Sequence, residues 1–494
     1  MGTKSIKKNF AFNLVYQILM LITPLIVTPY VSRVLGVDGV GEYSYANSIV
    51  SYFVLFAVLG TTTYGQRAIG YTQKDKEARS RAFWEIFIFR AMTSAVTLAV
   101  YAGYLLIFAS RSNRTLYIVL SLNILNVVFD ISWFMQGMEE FGKTATTSIL
   151  FRLLNICCVF LFVKAASDLW KYVLISVGFT ILSNICIWVF LPANLCRVKN
   201  IKPFRNLKGV LQLFLPTIAT QVYLVLDKSM IGWLSDGFAE NGYYEQADKI
   251  VKMVLAIVTA LGIVMIPRIA CAYKEGKDEQ VKYYIYKSYR YVWMMAIPIM
   301  FGLISISKTL VPVFFGEGYE KCEVLLPMLS TLAIIIGLSG VTGTQFFVPT
   351  GRQNVLTLTV VIGAVVNVAL NAILIPIYAS IGAAIATIIA ELCVTIAGFV
   401  YVGKKRLYEL KPIFTCSWKY WVAGLVMFGV LFAVKPFLPI SVGALLVLIV
   451  AGAIIYFVTL LILRDVFVFE AITKFISIIK ARLRCNDNKD KGNQ

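Results

Sequence analysis

The sequence contains no histidine and little charge. Of its 494 residues, 15% are charged and 59% are hydrophobic, whereas soluble domains have about 25% charged and about 45 to 50% apolar residues. One soluble core does not bury such an excess, because cores stop growing at roughly 250 to 300 residues. Without histidine the chain lacks the commonest metal ligand, and its nine cysteines show no C-x-x-C spacing. We therefore expect no metal centre and no cofactor.

Long hydrophilic segments are also missing. The longest connection between apolar runs has about twenty residues, far below the 50 or so of the smallest usual domain. A soluble catalytic domain therefore does not fit, which excludes the commonest membrane glycosyltransferases and ligases. No G-x-x-x-x-G-K-[ST] motif occurs, so the chain does not itself use ATP to drive transport. We expect no enzymatic activity.

The apolar residues occur in runs of about twenty, the length of a transmembrane helix. They predict an all-α, polytopic membrane protein with fourteen transmembrane helices. The predicted parts are an N-terminal six-helix lobe at 1–192, a cytoplasmic linker at 193–209, a C-terminal six-helix lobe at 210–402, transmembrane helices 13 and 14 at 403–463, and a cytoplasmic amphipathic helix with a tail at 464–494.

The distribution of positive charge predicts the orientation. Lys and Arg number 46 against 26 Asp and Glu, a formal net charge of +20. The longer basic connections, 67–81, 197–208, 268–290 and 404–419, are separated by even numbers of predicted spans and so share one face. The positive-inside rule places this face and both termini in the cytoplasm. Topology explains the charge, and we expect no nucleic-acid partner.

A weak internal repeat supports two related halves. The pattern G-x-Y-x-x-A-x-x-I begins at Gly41 and again at Gly242, each time after the first span of a predicted lobe. Because six spans is an even number, the halves would have parallel orientation. The alternative is chance, since only four positions match. The glycines at 36, 39 and 41 are interpreted as a turn at the outer surface.

Charged and polar side chains inside the spans are the candidate functional residues. A charge at a span centre costs about 2.5 to 3.5 kcal/mol, so each one needs a partner or an aqueous cavity. Candidate substrate-binding residues are Arg90, Arg152, Lys228, Lys249, Lys252, Asn123, Asn126 and Gln221. Candidate ion-coupling or ion-pairing carboxylates are Asp130, Asp227 and Glu391.

Two interpretations of these charges are open. Internal pairs such as Glu85 with Arg90, or Asp227 with Lys249, would hold helices in register. However, the five cations face fewer well-placed acids in the sequence, which favours a cavity for an anionic substrate. Asn367 and Asn371 add a polar stripe on one helix face.

Motifs along nearly the whole chain resemble the bacterial polysaccharide repeat-unit flippases, the lipid-linked oligosaccharide transporters of the multidrug/oligosaccharidyl-lipid/polysaccharide exporter superfamily. The matching pieces include Asp130-Ile-Ser-Trp133-Phe-Met-Gln136-Gly137, Leu226-Asp227-Lys228-Ser-Met230-Ile-Gly232, Pro267-Arg268, Phe315-Gly316-Glu-Gly318-Tyr319, and Asn367-x-x-x-Asn371 followed by Gly382 to Thr387 and Glu391.

The resemblance implies two six-helix lobes in a V around a central cavity, with alternating access. It also implies a substrate of undecaprenyl diphosphate bearing an oligosaccharide, carried to the outer leaflet of a bacterial plasma membrane for capsule, O-antigen or other surface polysaccharide. Helices 13 and 14 would help to cover a groove for the prenyl chain. Implied partners are this lipid, membrane lipids, and a polysaccharide polymerase and glycosyltransferases.

Two other functions compete with this one. A cation-coupled multidrug exporter of the same superfamily would favour an acidic cavity. A scaffold that only assembles membrane glycosyltransferases would not need charges inside its spans.

Overall fold

A computed structural model of the chain describes residues 6–108, 114–191, 194–465 and 467–469, and all regular secondary structure in these ranges is helical. The first helices are α1 (Ile6–Val58), α2 (Thr61–Tyr71), α3 (Lys76–Phe108), α4 (Arg114–Phe129), α5 (Ser132–Gly137), α6 (Phe141–Phe162), α7 (Leu169–Ile187) and α8 (Leu207–Leu234). The later helices are α9 (Ala239–Lys274), α10 (Asp278–Phe314), α11 (Cys322–Ser330), α12 (Leu332–Gly340), α13 (Gln353–Tyr378), α14 (Ser380–Lys404), α15 (Lys411–Thr415), α16 (Trp418–Val434) and α17 (Val442–Ile462).

Helices suit this sequence because hydrocarbon offers the backbone no hydrogen-bond partners, and a helix satisfies its N–H and C=O groups internally. Within the described residues, twelve helical stretches are long and apolar enough to cross a membrane. Large apolar side chains such as Val96, Val100 and Phe162 are exposed on their outer surfaces. The all-α, multi-pass prediction is confirmed.

The count of fourteen spans is not confirmed and stays a prediction. The first of the twelve stretches, Ile22–Tyr71, is 50 residues long and contains the last part of the first predicted span and the whole of the second. The helix that covers the seventh predicted span, α8, is not among the twelve. The predicted amphipathic helix and tail lie outside the described residues from 470 onwards.

A kink replaces the turn expected near Gly36. Helix α1 continues on both sides of this residue, which alone adopts non-helical angles of φ 69° and ψ 176°. A positive φ is strained for residues with a Cβ atom, so glycine is favoured here. In place of the expected turn, the structure has a one-residue kink within α1.

The helices form two compact units. The first comprises Met1–Gln246, Phe314–Tyr319 and Ala364–Thr387, and the second comprises Ala247–Val313, Glu320–Gly363 and Ile388–Gln494. In the first unit, α1, α3, α4, α6 and α7 pack around a core that includes Tyr101, Leu120 and Ile124. The predicted lobes divide the chain differently and stay a prediction.

The two copies of the internal repeat meet within the first unit. A Cβ atom on Gly41 would overlap the backbone carbonyl of Phe238, and one on Gly242 would overlap that of Val37. Equivalent positions of the two copies also touch, because the Ser44 hydroxyl donates to Glu245 Oε2 at 2.9 Å. The glycines of the repeat thus let α1 and α9 cross at backbone contact.

At one end of this unit the first two basic connections lie side by side. The guanidinium of Arg79, which is buried, donates from Nε and Nη2 to the carbonyl of Asn194 at 3.0 and 2.6 Å. The backbone N–H of Cys196 donates to the Ser80 hydroxyl at 2.9 Å. These contacts attach the linker that follows α7 to the first turns of α3, and the shared face of the two connections stays a prediction.

Candidate functional site

Arg90 and Asp130 form an ion pair inside the first unit. Asp130 lies between α4 and α5, and its Oδ2 is 3.2 Å from Nη2 of Arg90 on α3. Arg90 is only 2% exposed, and its Nε and Nη1 atoms have no hydrogen-bond partner among the described residues. The other Asp130 oxygen, Oδ1, accepts from the backbone N–H of Ser132 at 2.9 Å, which fixes the carboxylate at the start of α5.

The pair Glu85 with Arg90, expected as an alternative, is not formed. Glu85 accepts instead from the backbone N–H of Lys202 at 3.3 Å and from the Asn206 amide at 3.2 Å. Residues five apart on a helix point to different faces, whereas neighbours are three or four apart. Arg90 and Glu85 therefore turn to different partners.

Asp227 on α8 is the centre of a buried polar cluster. Its Oδ1 accepts from the side-chain amides of Asn367 at 3.0 Å and Asn371 at 2.7 Å. Its Oδ2 accepts from the hydroxyls of Tyr244 and Thr387, both at 2.7 Å. The alternative pair of Asp227 with Lys249 is not formed, because all the contacts of Asp227 within the described chain are with neutral groups.

The donors of this cluster come from the parts of three further helices that belong to the first unit. Tyr244 belongs to the second repeat copy on α9, the asparagine stripe lies on α13, and Thr387 lies on α14. Asn371 also donates to Asn367 Oδ1 at 3.0 Å, while its own Oδ1 is buried and has no partner among the described residues. The cluster is rich in oxygen atoms, the ligands that hard cations prefer.

Lys228, the residue after Asp227, forms an ion pair with Glu245. Its Nζ is 2.6 Å from Glu245 Oε2, and the two side chains are 18% and 13% exposed. The sequence interpretation did not include Glu245 as a partner. The internal repeat contained a signal for this residue, because Glu245 in the second copy corresponds to Ser44 in the first.

The remaining cations are less enclosed. Lys252 pairs with Asp248 one helical turn earlier at 2.8 Å and is largely exposed. Lys249 on the same helix is half-buried. Arg152 on α6 donates from Nε to the Thr23 hydroxyl at 3.1 Å. Arg90, Lys228 and Lys252 thus each have a carboxylate partner, so the spans are less positive than the sequence suggested.

The other candidate residues take several positions. Asn126 accepts from the Asn184 amide at 2.9 Å, and Asn123 three residues earlier is half-buried. Gln221 is exposed on α8, and Glu391 is half-buried on α14 in the second unit. The assignment of these residues to substrate or ion binding stays a prediction.

The fold and these sites define a multi-pass helical membrane protein that keeps ionisable groups inside its spans, which is typical of proteins that move ions or polar substrates. The chain belongs to the polysaccharide biosynthesis protein family, whose model matches residues 6–273. The resemblance to the polysaccharide exporters is thereby confirmed.

Individual relatives are distant in sequence. The chain is 22% identical over 411 residues to a putative O-antigen transporter of Escherichia coli (strain K12), covering 82% of this chain and 98% of the relative. It is similar to a structure of lipid II flippase MurJ in an inward closed conformation, with a TM-score of 0.74, 15% identity, and coverage of 93% of this chain and 100% of that one. An inward-facing multidrug resistance MATE family transporter of the MOP superfamily gives a TM-score of 0.62 at 16% identity, covering 78% and 94%.

Proposed function

We propose that the protein is a flippase for lipid-linked oligosaccharides. It moves undecaprenyl-diphosphate-linked repeat units from the cytoplasmic to the outer leaflet of a bacterial plasma membrane, for capsule, O-antigen or other surface polysaccharide. Both termini are cytoplasmic, and a polysaccharide polymerase and glycosyltransferases are the protein partners. Family membership and the likeness to an O-antigen transporter support this assignment.

The observation that carries the proposal is the ion pair of Lys228 with Glu245. A diphosphate that crosses about 30 Å of hydrocarbon loses its hydration, and a fixed cation replaces part of it. The Nζ atom of Lys228 lies 2.6 Å from a carboxylate oxygen of Glu245. A phosphate oxygen can replace that carboxylate, since both are anionic acceptors. Arg90, Arg152, Lys249 and Lys252 provide further positive charge.

Asp227 is the proposed binding group for a coupling ion. Its oxygens, together with the unpartnered Oδ1 of Asn371, suit a proton or a sodium ion. Asp130 and Glu391 are the other candidate carboxylates. The membrane potential is a second source of energy, because moving two negative charges out of a negative interior releases about 4.6 kcal/mol per 100 mV.

Proteoliposomes loaded with lipid-linked oligosaccharide test the proposal. An imposed potential, negative on the side of loading, should accelerate the appearance of oligosaccharide on the other leaflet without any proton or sodium gradient. Dependence on an ion gradient alone, lost in Asp227→Asn, would reject drive by potential and establish electroneutral coupling. No transport of the lipid-linked substrate under either condition would refute the flippase assignment.

The two competing functions make different predictions in the same vesicles. A multidrug exporter would move cationic dyes and leave the lipid-linked substrate in place. A scaffold for glycosyltransferases would move neither. Lys228→Gln should slow the transport of the lipid-linked substrate only if Lys228 contacts the diphosphate.

A further inference from the structure

A group of cations that form no ion pair with the described part of the chain lies where the first two basic connections meet. Arg67 is exposed at the end of α2, and its guanidinium stacks on the exposed ring of Tyr71 at 5.5 Å. Lys202, Arg205 and Lys208 are exposed on the segment that enters α8. We call these five residues the Arg67 surface.

The Tyr64 ring connects the two parts of the Arg67 surface. Its phenol group lies within electrostatic range of the buried Glu85 carboxylate and of both Arg67 and Arg205. A Cβ atom on Gly209, next to Lys208, would be 2.8 Å from Tyr64 Cε2, so the start of α8 packs directly on this ring. Cations from two separate chain segments therefore lie near one aromatic side chain.

Buried contacts fix the position of this surface. Glu85 is 3% exposed and holds the backbone N–H of Lys202 and the amide of Asn206. Phe204, between them, packs edge-on against Phe89 at 5.8 Å while remaining 56% exposed. The basic segment is thus anchored at its base, although its cationic side chains extend into solvent.

The neighbouring acids are already engaged. Asp75 caps α3 by accepting from the backbone N–H groups of Glu77 and Ala78 at 2.9 and 3.0 Å. Glu77 pairs with Arg81 at 2.9 Å, and Glu85 binds the connection described above. The cations of the Arg67 surface form no ion pair with any residue in the described ranges. Four exposed cations therefore lie above one buried carboxylate, that of Glu85, and this excess of positive charge has the electrostatics of an anion site.

We propose that the Arg67 surface is a docking site for the diphosphate of a prenyl diphosphate, used before the lipid enters the protein. This inference rests on the proposed function. Guanidinium groups bind phosphate oxygens in a bidentate geometry, and two linked phosphates match cations that come from two segments. The exposed rings of Tyr71 and Phe204 give the site an apolar border at the membrane interface, where the prenyl chain begins.

Binding of undecaprenyl diphosphate to the full-length protein in phosphatidylcholine nanodiscs tests this site. The affinity of Arg67→Gln/Arg205→Gln/Lys208→Gln should fall at least tenfold relative to the unaltered chain. Arg67→Lys/Arg205→Lys, which keeps the charge but not the bidentate geometry, should lose less affinity than the Gln variant and more than the control. The matched control Lys404→Gln/Lys405→Gln/Arg406→Gln removes three exposed cations from another predicted cytoplasmic connection, and its affinity should be unchanged.

Several outcomes would overturn the docking site. The first is an unchanged affinity in the Gln triple variant, and the second is an equal loss of affinity in the control. The third is a tenfold loss of phosphatidylglycerol binding in the Gln triple variant, which would mark a general surface for anionic lipids. In proteoliposomes the Gln triple variant should raise the half-saturating substrate concentration about tenfold. If the unaltered chain transports the substrate and the Gln triple variant shows no rise in half-saturating concentration, the docking site alone is refuted. If the unaltered chain does not transport the substrate, the proposed function is refuted.

Discussion

Replacing Asp227 by Asn or by Ala separates the charge of this residue from its structural role. The carboxyl group accepts four hydrogen bonds at 2.7 to 3.0 Å and is 8% exposed. In Asp227→Asn the amide oxygen can take the place of Oδ1 and accept from Asn367 and Asn371. The amide nitrogen then faces two hydroxyls, which accept as well as donate. This variant should lose no more than about 1 kcal/mol of stability.

Asp227→Ala removes the acceptor for all four donors. Thr387 keeps a bond to the Ala383 carbonyl at 2.9 Å, and Tyr244 keeps Thr387 at 3.2 Å. The amide of Asn367 has no other acceptor among the described residues, and Asn371 retains one of its two bonds. Two buried amide N–H groups, one on each asparagine, are then left without an acceptor. At about 1 to 3 kcal/mol each, the free energy of unfolding falls by roughly 4 kcal/mol.

Unfolding of the purified protein by titration with dodecyl sulfate measures these losses, with Asp236→Asn, an exposed acid near the end of the same helix, as the control for charge. Transport in proteoliposomes is measured in parallel. We expect Asp227→Asn to fold normally and to lose any acceleration by an ion gradient. Equal stability of the Ala and Asn variants would refute the hydrogen-bond argument. A retained response to the gradient in Asp227→Asn would refute the coupling role.

Three further predictions concern other parts of the chain. Arg90→Ala should destabilise the protein by about 3 to 5 kcal/mol because it strands the Asp130 carboxylate, while Arg90→Met with Asp130→Asn should return to within about 1 kcal/mol of the unaltered chain in the same titration. Gly242→Ala should destabilise the protein and slow transport because its Cβ overlaps backbone, whereas Gly178→Ala, with open space around it, should gain up to about 1 kcal/mol. A cysteine at Lys277 should react only with membrane-permeant reagents, and labelling from outside would overturn the predicted topology.

The apolar runs predicted the helical, multi-pass architecture because hydrocarbon allows few other structures. They did not predict that α1 passes through Gly36 or that the helical run breaks at Asp130 between α4 and α5. A single residue at positive φ leaves the apolar pattern on either side unchanged. Composition therefore locates a span more reliably than it locates a kink within one.

Side-chain partners were predictable only in part. Helical periodicity placed Asn367 and Asn371 on one face, and both do turn to a common partner. It did not indicate Asp227 as that partner, because 140 residues separate Asp227 from Asn367 and only the packing of α8 with α13 joins them. The Glu85 with Arg90 pair, in contrast, was already disfavoured by a spacing of five residues.

The pairing of buried charges has a consequence for a transport cycle. A flippase must also return empty, and an unpaired cation inside the spans would cost several kcal/mol whenever water is excluded from it. The pairs Lys228 with Glu245 and Arg90 with Asp130 remove this cost, since each cation keeps an anion within 3.2 Å when no substrate is bound. An arriving diphosphate would displace the Glu245 carboxylate from Lys228 and add negative charge beside it. A released Glu245 becomes a site for a proton. Binding of the anion would then favour uptake of a proton at the same place, which links substrate and coupling ion through one side chain.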